Sequence, residues 1–430
     1  MAPPALRTLI QELAQAFQAR FPRERVSPLR TVGREAEHPL VREDGTAGDL
    51  RALWPLLAAE DPALAPRYET GRGRLQVALE GYDYAYQMEV GLATVEIAVR
   101  PCTRLQDLCS LYTRARDRLC RAAQAQGWAI LGYGIQPVTP PAPGLMAPKA
   151  RYQALYRAMG DDWLWYTVTA SDQIQVAISR DEMIGLLNAL LLLSPAMVAL
   201  CGHSPVYGGR LSPYCSAREG RALEMVRHGT RHGMPPRPYT DVEDLVARLV
   251  DYPCLVRRVG GQWVAERRPF REILVEEGPE LDAFLLHEHY IWHAVRLRAA
   301  YGTVEIRPAC QQPPADAMAA TALALGLVEA APRLVDYVEA ALGAQAWTVL
   351  RQYYIRAARD GLAAPEPCPG FLENVLGLVE KGLERRGQDE QVYLGPLWER
   401  LERRRNPAQR MRRVYRLEGM EGLLVYTRVL

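Results

Sequence analysis

The chain has 430 residues, of which 49% are hydrophobic and 24% are charged, and its formal net charge is +2. This composition is typical of a globular protein with a large core, and the length allows one large domain or two to three ordinary ones. The near-neutral charge gives no general electrostatic reason to expect nucleic acid or an anionic membrane as partner. Lysine is rare, because only Lys149 and Lys381 among the 52 basic residues are lysines.

Hydrophobic periodicity and turn signals predict the secondary structure in chain order. The first twenty or so residues read as a helix, followed by a strand at 30–41, a helix at 48–61, strands at 74–80 and 85–99, a helix at 103–127, strands at 129–135 and 164–178, a long apolar helix, a strand at 301–309, and helices from 315 to the end with a break at 364–370. Strands cluster around helices without regular βαβ alternation. The sequence therefore predicts an α+β fold with a mostly antiparallel sheet.

The apolar run at 183–200 contains eighteen residues without a charge, which is close to the length of a membrane span. Asn188, Pro195 and an acidic pair just before the run favour a buried helix that ends near Ser194–Pro195. The N-terminus lacks the pattern of a signal peptide. Eight dispersed cysteines without a CxxC pair favour a reducing compartment. We therefore expect a cytoplasmic protein.

Glutamates recur inside the predicted strands. Glu35 and Glu37 are two residues apart, so their side chains point to the same face. Either that face is in water and the repulsion is small, or a cation lies between the carboxylates. Three further strand glutamates are Glu89, Glu96 and Glu305. Because several carboxylates without a His/Cys cluster suit a hard cation, the pattern favours Mg²⁺, with Mn²⁺ as the alternative.

Basic residues near these strands offer the opposite charge. Arg307 follows Glu305 by two residues on the same predicted strand face, where it would suit a phosphate. Further basic residues in or beside loop-like segments are Lys149, Arg151, Arg218, Arg231, Arg296 and Arg298. Neither a GxxxxGK[ST] P-loop nor a GxGxxG after a strand is present, so any ATP must bind outside those folds.

A series of short motifs follows in a defined order. The motifs are G-x-E-x-E (Gly33–Glu37), V-E (Val95–Glu96), G-x-x-P (Gly134–Pro137), K-x-R-Y (Lys149–Tyr152), S-P-x-x-x-G (Ser204–Gly209), S-x-R (Ser216–Arg218), R-x-G (Arg231–Gly233) and V-R…Y-G-T-V-E-I-R (Val295–Arg307). In order and spacing, from about residue 30 to about 330, they resemble the glutamate–cysteine ligase family of the plant and proteobacterial type, with its related carboxylate–amine ligases.

The resemblance implies a glutamine-synthetase-like catalytic fold, in which a curved, mostly antiparallel sheet forms a funnel with helices outside. It implies one catalytic domain over 1–430, with a core at about 30–330 and a helical part at about 331–430. It also implies that ATP phosphorylates the γ-carboxylate of glutamate and that the amine of cysteine attacks, giving γ-glutamylcysteine, ADP and phosphate. The implied partners are these small molecules, not nucleic acid or membrane, and the protein would be a monomer or homodimer.

The resemblance also implies a role for each site residue. The implied metal ligands are Glu35, Glu37, Glu89, Glu96 and Glu305. The implied catalytic residues are Arg307, Arg218 and Glu96. The implied substrate- or ATP-binding residues are Arg296, Arg231, Lys149, Arg151, Gln173 and His203.

Several positions depart from the family pattern, and they leave the acceptor amine open. His203 replaces the usual Asn, Gln136 replaces a frequent His, and Cys310 replaces an Asp. The same machinery with another amino acid or amine as acceptor is therefore the main alternative. Two alternatives of other classes are a binding protein that has lost turnover and a nucleic-acid site on the basic run 403–413, where the simpler interpretation is a solvated helix face.

Overall fold

The structure is a computed structural model that describes residues 4–25, 27–69 and 74–430. Its strands are β1 Val32–Val41, β2 Ala65–Tyr68, β3 Gln76–Glu80, β4 Tyr84–Met88, β5 Thr94–Cys102, β6 Ala129–Ile130, β7 Asp172–Ala177, β8 Val206–Tyr207, β9 Arg210–Leu211, β10 Val256–Val259, β11 Gln262–Ala265, β12 Val295–Arg298 and β13 Thr303–Ile306. Its helices are α1 Pro4–Ala19, α2 Trp54–Glu60, α3 Leu105–Ala125, α4 Ala150–Met159, α5 Asp161–Leu164, α6 Met183–Cys201, α7 Ala217–Leu223, α8 Val242–Leu249, α9 Phe270–Glu277, α10 Leu281–His289, α11 Ala319–Glu329, α12 Ala331–Leu342, α13 Ala346–Asp360, α14 Phe371–Glu384, α15 Gly395–Glu402 and α16 Pro407–Thr427. The first three residues of the predicted N-terminal helix lie outside the described part of the chain.

One large antiparallel sheet organises the fold. Its strand order is β12–β13–β7–β1–β5–β4–β3–β2, and β6 pairs with the end of β1. All of these strand pairs are antiparallel. Two small hairpins, β8–β9 and β10–β11, lie outside the large sheet. The predicted α+β class with a mostly antiparallel sheet is therefore confirmed.

The two faces of the sheet differ in polarity. Valine and isoleucine side chains on one face, among them Val95, Ile97 and Ile174, are fully buried. Helix α3 packs against β5, α11 against β7, and α6 against β12 and β13. Because side chains alternate along a strand, the intervening polar residues emerge on the opposite face. That polar face carries the candidate site.

Register brings the polar residues of separate strands together. Glu37 lies opposite Glu96 on β5, and Glu35 lies opposite Gln173 on β7. Glu305 lies between Gln175 on β7 and Arg296 on β12. Directly opposed residues in an antiparallel pair share a face, so this row of polar side chains spans five neighbouring strands.

Helix α6 is the predicted apolar helix, but it continues to Cys201, beyond the predicted end at Ser194–Pro195. A proline inside a helix leaves the carbonyl four residues earlier without its backbone donor. Here the Ser194 hydroxyl donates to the Leu191 carbonyl at 2.7 Å and takes the place of that donor. The segment Arg180–Cys201 is long and apolar enough to cross a membrane, yet 78% of its apolar window is buried in the protein. The prediction of a buried helix is confirmed, and its predicted end is wrong.

Other element boundaries differ from the prediction. Residues 85–99 form two strands, because the chain turns between β4 and β5 at Gly91. A Cβ at this position would lie 2.0 Å from the Thr167 carbonyl oxygen, so the close backbone approach requires glycine. The predicted strand at 164–178 shortens to β7, since residues Trp165–Thr167 form a helical turn. Strands β2 and β12 were not predicted.

The C-terminal part is helical, with the predicted break between α13 and α14. The last residues return to the sheet, where Val429 N–H donates to the Ile130 carbonyl at 3.0 Å and Gly132 N–H donates to the Thr427 carbonyl at 2.8 Å. All eight cysteines are free.

Candidate active site

A cavity of about 440 Å³ opens on the polar face of the sheet. All five predicted strand glutamates line it, namely Glu35, Glu37, Glu89, Glu96 and Glu305. Six of the other predicted site residues also line it, namely Lys149, Arg151, Gln173, Arg218, Arg296 and Arg307. The structure thus brings most of the predicted site residues into one cavity, while their individual roles stay predictions.

Three of the glutamates form what we call the acidic cluster, Glu37, Glu89 and Glu96. Each offers a carboxylate oxygen, and these oxygens lie within 4.8 Å of one another. Glu37 is held in place by the Ser171 N–H at 2.7 Å and by the Gln173 side-chain amide at 2.9 Å. Glu37 and Glu96 are buried, and Glu89 is partly exposed. The cluster thus presents several oxygens to one point.

The electrostatics of the acidic cluster favour an added positive charge. Burial, followed by the charge of Glu89, raises the pKa of Glu37 to about 7. Burial also raises the pKa of Glu96 well above its ordinary value, and the charges of Glu35, Glu89 and Glu37 add to the effect. Carboxylate oxygens at this spacing are the donors that Mg²⁺ and Mn²⁺ prefer. The residues present therefore fit the divalent cation that the family resemblance implies.

Glu305 lies in the opposite environment. It is paired with the arginine cluster, which we define as Arg296, Arg298 and Arg307. The Arg307 Nη1 lies 2.7 Å from Glu305 Oε2, the Arg298 Nε lies 3.6 Å from Oε1, and the Arg296 Nε also bonds to Oε2. Burial acts to raise the pKa of Glu305, but these three charges outweigh it and hold the pKa well below the ordinary value. Its carboxylate is thus neutralised by the protein itself.

Glu35 lies between the two groups. The Gln175 side-chain amide donates to Glu35 Oε1 at 2.7 Å. Burial and the charge of Glu305 raise the pKa of Glu35 to about 7, although the arginine cluster acts to lower it. The acidic cluster does not include Glu35 or Glu305, so the five predicted metal ligands divide into a group of three and two further carboxylates.

Two basic residues are held at the rim of the acidic cluster. Arg218 bonds to Glu219 at 2.5 Å, and Glu219 in turn accepts a hydrogen bond from the Tyr354 hydroxyl at 2.5 Å. The Lys149 ammonium donates to the Met88 carbonyl, one residue before Glu89. Burial lowers the pKa of Lys149 to about 8. Both cations are therefore oriented by neighbouring protein groups.

Arg231 and His203 were predicted to bind substrate or ATP, but they do not line the cavity. The buried Arg231 guanidinium donates to the Tyr290 carbonyl at 2.9 Å and to the Pro253 carbonyl. The His203 Nδ1 lies 3.1 Å from the Gln311 carbonyl. Both side chains thus bond to backbone groups in the interior, a use that sequence alone cannot distinguish from ligand binding.

Sequence reasoning missed a set of aromatic residues in the same cavity. We call this set the aromatic wall, Trp163, Tyr166, His232, Tyr290 and Trp292. The ring centroids of Tyr166 and Trp292 lie 4.9 Å apart, and those of His232 and Trp292 lie 5.4 Å apart. The Tyr166 hydroxyl lies 2.9 Å from His232 Nε2. The one available sequence signal was that His232 occupies the middle of the R-x-G motif.

The cavity combines three chemical surfaces: an acidic cluster, an arginine cluster and an aromatic wall. The Gln173 side chain links the first two, because its amide nitrogen donates to Glu37 and its oxygen accepts from Arg307. An arrangement of carboxylates facing guanidinium groups suits a polyphosphate, since the arginines bind its oxygens and the carboxylates bind its counter-cation.

Comparisons with known proteins agree on one family. The family model described as Glutamate-cysteine ligase family 2 (GCS2) matches residues 75–425. A Saccharopolyspora erythraea protein, provisionally named glutamate–cysteine ligase 2-2, is 28% identical over 377 residues, which cover 85% of this chain and 83% of that protein. The chloroplastic glutamate–cysteine ligase of Medicago truncatula is 26% identical over 343 residues, covering 74% of this chain and 66% of that protein.

A solved structure shares the fold. The crystal structure of glutamate–cysteine ligase from Francisella tularensis in complex with AMP has a TM-score of 0.53 to this chain. The two are 11% identical in sequence, and the match covers 94% of this chain and 88% of that one. At this identity the likeness establishes the fold alone, and it confirms the predicted catalytic fold class.

Proposed function

The chain belongs to glutamate–cysteine ligase family 2 and is a ligase of that family, and from this premise we propose a specific reaction for it. The protein uses ATP to phosphorylate the γ-carboxylate of glutamate, and it joins the resulting acyl group to the amine of cysteine. The products are γ-glutamylcysteine, ADP and phosphate. The observation that supports this proposal is the acidic cluster facing cationic side chains within one cavity.

In this proposal the acidic cluster holds Mg²⁺, with Mn²⁺ as the alternative. When bound there, the cation neutralises phosphate charge during transfer. Glu37, Glu89 and Glu96 supply the oxygens, and Ser171 and Gln173 keep Glu37 oriented. Strand pairing already places Glu37 opposite Glu96, and Glu89 directly follows β4, so little reorganisation accompanies binding.

The cationic residues orient the anionic groups of the substrates. Arg307 and Arg218 hold the transferred phosphate or a substrate carboxylate. The Arg307 guanidinium is preoriented by Glu305 and Gln173, and the Arg218 guanidinium is preoriented by Glu219. Charge-assisted hydrogen bonds from fixed guanidinium groups are strong and directional, which suits positioning for phosphoryl transfer.

A second candidate keeps the mechanism and changes the acceptor amine. The aromatic wall places several aromatic side chains along one cavity, and the small side chain of cysteine does not require such a lining. An amine with an aromatic or larger apolar group would use that surface. The partners in either case are small molecules.

The test is magnesium- and glutamate-dependent ADP release over a panel of acceptor amines, with cysteine first and aromatic amines included. Release stimulated by cysteine, with γ-glutamylcysteine in the product, is the expected result. Release stimulated only by another amine would favour the second candidate. The Glu96→Gln variant serves as the matched background control. If the wild type releases no more ADP than this variant with glutamate and every acceptor, both candidate functions are contradicted.

A further inference from the structure

We propose that His232 is the base that removes the proton from the acceptor amine. This inference rests on the proposed function, because it concerns the second half of that reaction. Most acceptor amines are protonated at neutral pH, and an ammonium nitrogen has no lone pair with which to attack an acyl phosphate. A group that accepts this proton within the cavity is therefore part of the chemistry.

The imidazole of His232 is fixed in the cavity wall. Its ring is stacked on Trp292, with centroids 5.4 Å apart and planes 13° apart. Its Nε2 lies 2.9 Å from the Tyr166 hydroxyl oxygen. Among the described residues, no protein group bonds to Nδ1. Nδ1 is also not a fully buried atom. One ring nitrogen is thus anchored by Tyr166, and the other is left without a protein hydrogen bond in a residue that lines the cavity.

His232 also lies beside the proposed reaction centre. Arg307 and Arg218 are close enough to act on its protonation, and these are the residues proposed to hold the phosphate or substrate carboxylate. Arg307 bonds to Gln173, which bonds to Glu37 of the acidic cluster. His232 lines the same cavity as Arg307 and Arg218, so an amine that attacks an acyl group held by these arginines meets His232 within that cavity.

The environment keeps His232 uncharged before substrate binds. Burial, followed by the charges of Arg307, Arg231, His293 and Arg218, lowers its pKa well below the ordinary value. A neutral ring with Nε2–H donated to the Tyr166 oxygen leaves the Nδ1 lone pair free to accept a proton. When the anionic phosphate neutralises the arginines, their repulsion of an imidazolium weakens, so the ring becomes more basic at the step that needs it.

His232 Nδ1 accepts one proton from the acceptor ammonium, and the freed nitrogen lone pair forms the C–N bond to the acyl carbon. The C–O bond to phosphate then breaks, and the phosphate leaves with the electron pair. The second proton on the nitrogen passes to the departing phosphate, which leaves a neutral amide. Tyr166 is a positioning residue in this step, because it acts through His232.

The test compares two acceptors in the wild type and in His232→Gln. Hydroxylamine is a weakly basic amine that is uncharged at neutral pH, so its attack needs no prior deprotonation. With the amino acid acceptor, we expect kcat of His232→Gln to fall by roughly 10²- to 10⁴-fold. With hydroxylamine, ADP release and hydroxamate formation should fall by less than roughly tenfold, since the base is no longer needed. In pH profiles of kcat with the amino acid acceptor, which report groups in the substrate complex, the acid limb due to His232 should be absent from the variant.

The outcomes separate the two proposals. Equal losses with both acceptors would show that His232 supports binding or folding, and an unchanged rate with the amino acid would show that it accepts no proton; either result overturns the inference alone. Wild-type protein that turns over neither acceptor would overturn the proposed function and the inference with it. His232→Asn provides a second variant if His232→Gln does not fold, with the thermal unfolding midpoint as the check on both.

Discussion

Glu96 and Glu305 occupy the same position in two copies of the tetrapeptide TVEI, and both line the same cavity, yet their environments are opposite. The pKa of Glu96 is raised by burial and by three other glutamates. The pKa of Glu305 is lowered because three arginines outweigh the effect of its burial. Local sequence therefore determines that each carboxylate emerges on the polar face, whereas strand neighbours determine its charge state.

The difference separates two uses of a buried carboxylate. The protein does not neutralise the acidic cluster fully, so the cluster favours a cation from solution. The protein does neutralise Glu305, whose carboxylate orients Arg296, Arg298 and Arg307. We therefore expect the two carboxylates to respond differently to removal of their charge.

The largest expected effect is on catalysis, from Glu96→Gln. Loss of one ligand of the acidic cluster should lower kcat by on the order of 10³-fold, because a preorganised charge at the transferred phosphate is lost. The free energy of unfolding should stay the same or rise in metal-free buffer, since the neutral amide avoids the burial and the carboxylate repulsion that disfavour a charge at this position. Single-turnover ADP release and urea unfolding measure the two quantities. A variant that is inactive because it is unfolded would contradict this prediction.

Glu305→Gln should act mainly on stability. The substitution removes the carboxylate with which all three arginines pair, and breaking a buried ion pair on one side costs about 3–5 kcal/mol of unfolding free energy. If Glu305 were the metal ligand that the family resemblance implies, this variant would instead lose ATP turnover with its fold intact. Urea unfolding of Glu305→Gln beside Glu96→Gln tests the distinction, and equal stability of the two variants would remove it.

Added Mg²⁺ should stabilise the wild type. At 100 times the dissociation constant, a ligand that binds only the folded state adds about 2.7 kcal/mol to the unfolding free energy. Glu96→Gln should lose most of this gain, whereas Glu305→Gln should keep it, because only the former loses a member of the acidic cluster. The thermal unfolding midpoint during MgCl₂ titration at constant ionic strength provides the measurement. A gain lost equally in both variants would place Glu305 among the metal ligands.

The smallest expected effect concerns an arginine-paired glutamate outside the cavity, Glu182. Burial acts to raise its pKa, but hydrogen bonds from Arg30 and Ser179 lower it to about 2. The folded-state pKa lies below the unfolded value. The contribution of Glu182 to the free energy of unfolding is therefore full above the unfolded pKa and is lost as pH falls toward about 2. Glu182→Gln should lower the free energy of unfolding by about 1–2 kcal/mol at neutral pH. The loss should be much smaller in acid, because the wild type loses the same bonds when Glu182 is protonated. Urea unfolding at several pH values measures this, and a pH-independent difference would contradict it.

Much of the site could be predicted from sequence because strands have a period of two. Glu35 and Glu37 had to share a face, as did Glu305 and Arg307, and the structure places Arg307 Nη1 2.7 Å from Glu305 Oε2. Which glutamates meet across strands could not be predicted, because it depends on register. Glu37 meets Glu96 only because β1 pairs with β5, and no local signal fixes that pairing.

The sequence by itself thus determined the α+β class, the polar face of the central strands, the buried apolar helix and the family. Only the tertiary structure decided which polar side chains line the cavity. It directed Arg231 and His203 toward backbone carbonyls in the interior, and it brought His232 to the cavity through its contacts with Tyr166 and Trp292. The physical reason is that periodicity is local, whereas charge neutralisation and hydrogen bonding depend on residues that are distant in the chain and meet only after folding.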